Sequence, residues 1–159
     1  MRKAIVILIL VLVAGPALQA QTKLEDAGLS SPHTLVPRFL DDHWKAYTSL
    51  MAKVQSKDEY VGLSSLLNIT AITAERLQII SDLYELYMAS NDPKDKKLLL
   101  FLITRFCKHF ASLTETDVHE TTLMGKLTQP SAWERNDKML TDLLATKKLF
   151  EQLPKVLAQ

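Results

Sequence analysis

Apolar residues recur along this chain at alternating steps of four and three, and that spacing restricts it to helices. Leu40, Trp44, Tyr47, Met51 and Val54 form one such series, and Leu99, Ile103, Phe106, Phe110 and Leu113 form another. Side chains three and four residues apart share one face of an α-helix, whereas a half-buried strand needs strict alternation. No stretch alternates over a strand's length, no Asn-Gly or Asp-Gly hairpin turn occurs, and only Gly62 and Gly125 lie beyond residue 35. An all-α fold is expected.

Local signals place the helices. Pro37 suits a first turn, where its missing N–H costs nothing, so the first helix is expected from about 37 to 55, with Phe39, His43 and Leu50 flanking its stripe. Ser56-Lys57-Asp58-Glu59 is an S-x-x-E capping box opening a helical region towards Ala89. Residues 68–73 are weak helix formers and mark where that region would break. Asn91-Asp92-Pro93 stops one helix and starts the next. In that next helix Leu98 to Ile103 is apolar on every side, which predicts a central position. The apolar pattern lapses from Thr114 to Thr122, as a loop or an exposed continuation of the helix. A second S-x-x-E box, Ser131 to Glu134, opens the last helix, which Pro154 is expected to end. Four helices result, or five if the second region breaks. Their short connections predict an up-and-down bundle.

The N-terminus reads as an export signal. Arg2 and Lys3 precede an uninterrupted apolar run, Ala4 to Ala14, and Gly15-Pro16 and Leu18-Gln19-Ala20 follow. A spanning helix needs about 20 apolar residues, and this run has about half of them, so residues 1–20 are expected to be a cleaved signal peptide and not an anchor. Residues 21–35 carry Gly, Ser and Pro without periodicity and read as a flexible lead-in. Residues 36–159 then form a single domain.

Removing the leader takes two basic residues and no acid, which turns a formal charge of +1 into −1. A near-neutral chain lacks the basic face of a nucleic-acid binder and the polybasic segment of a membrane-attached one. No stable membrane insertion of the mature chain is expected. Cys107 is the one cysteine, which excludes an intrachain disulfide. Many small exported animal domains are rich in disulfides, so the compartment is expected to be periplasmic or secreted in a bacterium. The Asn68-Ile69-Thr70 sequon sits in an apolar segment and reads as a chance occurrence.

Chemistry is sparse. The C-x-x-C-H, H-E-x-x-H, G-x-S-x-G and P-loop patterns are absent, and no histidine follows an acid by three residues as a di-iron bundle requires. No cofactor is expected. Glu115 and His119, one helical turn apart, are the best metal-ligand pair, although a solvated charged segment is the favoured reading, since Glu and His at this spacing co-occur commonly by accident. His43, after Asp41-Asp42, is a candidate general base, but adjacent helix residues point about 100° apart, so Asp42 does not face its ring. Tyr84 and Tyr87, and Trp44 beside His43, are candidates for lining a ligand cavity. Cys107 and His109 lie on different helix faces and form no dyad; a buried thiol is expected.

These observations favour an exported, non-enzymatic helical module that binds an unidentified protein partner or a small apolar ligand. The alternatives are a metal-binding or hydrolytic protein using His43 or the Glu115/His119 cluster, and a eukaryotic secreted signalling protein, which requires a genuine sequon.

Overall fold

The computed structural model describes Gln19 and residues 22–159. The expected leader over residues 1–20 therefore lies almost entirely outside the described residues. The fold is all-α, with no strand among the described residues. Helix α1 (Pro32–Pro37) runs through a π-helical segment (Arg38–Trp44) into α2 (Lys45–Met51). Two long helices follow, α3 (Lys57–Ala89) and α4 (Pro93–Met124). Two 3-10 turns (Gly125–Leu127 and Pro130–Ala132) lead into α5 (Trp133–Leu157). None of these helices is long and apolar enough to cross a membrane.

Helix α4 packs on both α3 and α5, and the N-terminal helical stretch lies across α3 and α5. Contacts give the directions. Gly62, near the start of α3, meets Met124 and Leu127 at the far end of α4, where an added Cβ would stand 3.0 Å from that of Leu127. Arg76 pairs with Asp117 further along the same two helices, so α3 and α4 are antiparallel. Phe110 against Phe150 and Glu115 near Lys147 make α4 and α5 antiparallel too.

The caps explain the long helices. Ser56 accepts from the Glu59 N–H at 3.1 Å, and the Glu59 carboxylate accepts from the Gln55 N–H at 3.0 Å. Asp92 accepts from the Lys94 N–H, with Pro93 in the first turn. Helix α3 passes through residues 68–73 without a break, because Ile69, Thr70, Thr73 and Ala74 are all buried and their packing outweighs weak propensity. Helix α4 likewise continues through 114–122, the exposed-helix alternative.

Four boundary or burial expectations change. The first helix begins at Pro32, so Pro37 lies inside the helical stretch. Its missing N–H removes a backbone bond, and the π turns start at the next residue. Ser131 forms no cap; the chain enters α5 through a 3-10 turn with Ala132 at the N-cap. Helix α5 runs past Pro154 to Leu157, burying Leu153, Val156 and Leu157. Leu98 to Ile103 is not central: Leu98 and Phe101 are each 57% exposed and only Ile103 is buried. Helices α3 and α5 cover one side of α4 and leave the other open.

Residues 22–31 are packed. A helical turn over residues 22–26 buries Leu24, and Leu29 joins the same core. Gly28 turns the chain between them at a positive φ of 64°, a conformation open to glycine without steric cost.

Candidate functional site

The π segment places the main polar cluster. Leu35, Phe39, His43 and Tyr47, spaced by four, are all buried. Each step of four overshoots an α-helical turn by about 40°, and turns widened to i→i+5 bonds absorb that drift. The expected stripe is displaced accordingly. Leu40 and Trp44 are 45% and 44% exposed, at the edge of the core and not within it.

Within the cluster, the Asp142 carboxylate of α5 accepts from the Arg38 guanidinium and from His43, whose Nε2 lies 3.1 Å from Oδ2. Asp142 is fully buried and His43 is 1% exposed. The second ring nitrogen, Nδ1, is buried with no hydrogen-bond partner among the described residues. Desolvation lowers the His43 pKa from its ordinary value, against the opposing pull of Asp142. The neutral ring fits this setting, because a proton on Nδ1 would be a buried donor with no acceptor. One turn further, Tyr47 donates to Asn136, which donates to Thr128 at 3.0 Å. Burial raises the Tyr47 pKa. Asp42, next to His43 in sequence, turns outward to Lys138.

This cluster joins the first helical stretch to α5. The candidate base His43 does meet a carboxylate, that of Asp142, but its burial leaves no approach for a substrate, which general-base chemistry requires within hydrogen-bond reach. The His43–Asp142 contact links the first helical stretch to α5 within the core.

A second site lies between residues 24–34 and the C-terminal half of α3. There a cleft of about 740 Å³ is floored by Leu24, Leu29, Tyr84 and Met88 and rimmed by Glu25, His33 and Glu85. Burial raises the Tyr84 pKa, so its hydroxyl stays protonated. Ser81 hydrogen-bonds His33 Nδ1, and Glu85 lies 3.4 Å from the same atom. A nucleophile–base–acid relay uses both ring nitrogens. Here one nitrogen serves both partners, so Ser81, His33 and Glu85 form a positioning cluster and not a hydrolytic triad. Tyr87 is separated from Tyr84: its hydroxyl donates to the Leu157 carbonyl at 3.1 Å, and Lys96 sits 5.5 Å from its ring centre.

No family model, curated protein or solved structure matches this chain. Glu115 and His119 both lie exposed on α4, and among the described residues no three His, Cys, Asp or Glu side chains are grouped to hold a metal. Asp117 between them pairs with Arg76, and burial raises its pKa despite that partner. Cys107 is fully buried, and desolvation pushes its thiol up to about 12.

Sequence reasoning named His43 and Tyr84 but missed Asp142, Arg38 and His33. Asp142 did leave a signal: it falls on the apolar spacing of Met139, Leu143, Thr146 and Phe150, where a carboxylate needs a partner.

Proposed function

We propose that this chain is an exported helical binding module: residues 1–20 direct it out of the cytoplasm, and an up-and-down bundle holds a small apolar ligand or a partner's side chain in the cleft beside Tyr84. The observation that carries the reading is the cleft itself. Its volume falls within the usual range of ligand sites, about 300–1,000 Å³, and four apolar or aromatic side chains make its floor. Catalysis is disfavoured because His43 is sealed from substrate and His33 lacks a relay.

Two measurements test this. Protein recovered from the exported fraction is expected to begin at Gln21; a chain retained whole in the membrane fraction overturns the export reading. Titration with 1-octanol is expected to shift the backbone amide resonances of Leu24, Ser30, Tyr84 and Met88 first, and Met88→Glu is expected to abolish those shifts. Shifts scattered over the surface, or none, overturn the binding reading.

A further inference from the structure

We infer that the cleft beside Tyr84 selects ligands carrying a positively charged head on an apolar body, such as a lipophilic amine or quaternary ammonium. The inference rests on the cleft being a binding site and adds the charge of what it takes. Among the described residues, the charged side chains lining the cleft besides His33 are both acidic: Glu25 on one wall and Glu85 on the other. No Lys or Arg among the described residues lines it, and the hydroxyls of Ser30, Ser31 and Thr34 complete its polar side. Lys148, on the far side of Gly28, is held by the Gly28 carbonyl at 3.1 Å and is not among the lining residues.

The two carboxylates differ in their commitments. Glu85 leans on His33, whose Nδ1 is also held by Ser81, and this fixes Glu85 beside the opening while 66% of its side chain remains exposed. Glu25 carries no ion pair among the described residues. An apolar tail on Leu24, Leu29, Tyr84 and Met88 would bring a cationic head to the rim where both acids stand. An anionic head would meet two like charges, with no Lys or Arg among the described lining residues and with His33 already engaged by Glu85 and Ser81. The polar rim and apolar floor thus set orientation as well as sign, since only the floor gains from burying the tail.

The test compares three probes with one tail, each below its micelle concentration: octyltrimethylammonium, 1-octanol and octanoate. Calorimetry is expected to rank them in that order, with the ammonium about fivefold tighter than the alcohol, the equivalent of about 1 kcal/mol from an exposed charge pair at contact. Added salt is expected to narrow that gap. In the Glu25→Gln, Glu85→Gln double variant the ammonium is expected to bind no tighter than the alcohol binds that same variant. Equal binding of ammonium and alcohol, or a preference for octanoate, overturns the charge inference and leaves the apolar site standing. If none of the three binds, the cleft is no ligand site and both readings fall.

Discussion

His43 Nε2 and Asp142 Oδ2 lie 3.1 Å apart, although 98 residues separate them in sequence. The contact fastens the π segment to α5 inside the core, and Arg38 binds the other carboxylate oxygen. Removing the acid strands two donors. Asp142→Ala is therefore expected to cost about 3 kcal/mol, the low end for a broken buried pair because Arg38 is partly exposed. Asp142→Asn retains an acceptor for His43 and is expected to cost less. Urea unfolding measures both; equal losses would show that the acceptor geometry is irrelevant.

The same pair makes stability depend on pH. Folding lowers the His43 pKa below its ordinary 6.5, so the unfolded chain takes up the proton more readily. The stabilisation is complete above about 6.5, declines as the pH falls towards the folded-state value, and levels off below it. The slope from this one group is at most about 1.4 kcal/mol per pH unit. Replacing His43 with Gln is expected to remove that component from the pH profile of unfolding. An unchanged profile would assign it to other groups.

The two S-x-x-E boxes separate pattern from contact. Ser56 caps α3, whereas Ser131 lies in a 3-10 turn and caps nothing. Ser56→Ala is expected to cost about 1 kcal/mol, and Ser131→Ala less than about 0.5 kcal/mol. Thermal melts of the two variants check this, and equal effects would contradict it.

Cys107 offers a kinetic readout of opening. Fully buried and with its thiol held near 12, it is expected to resist a thiol reagent at pH 8 in the native protein and to react at once in denaturant. Rapid labelling of the folded chain would mean that the α4 core face opens readily.

Helical class was legible because the four-and-three spacing needs no tertiary information, and Ser56 was legible because a cap is local. The misplacements share one physical cause, the action of distant packing on local pattern. Burial of Ile69 and Thr73 carries α3 through weak formers, and the one-sided cover on α4 exposes Leu98 and Phe101. The polar cluster was half visible: His43 stood out by type, but its partner comes from the other end of the chain. The cleft was visible only through Tyr84, since Leu24, Leu29 and His33 come from a segment whose composition suggests a lead-in.

The widened turns at 38–44 also bear on how this chain tolerates insertion and deletion. In an uninterrupted α-helix, Leu35 and Tyr47 would lie about 120° apart around the axis, yet both are fully buried here. A single-residue deletion inside the segment that restored ordinary winding would leave the two about 20° apart, still on one face. The widened turns thus take up one extra residue without turning one half of the helix against the other, and a related chain one residue shorter here would keep Leu35 and Tyr47 in the core through ordinary α-helical turns.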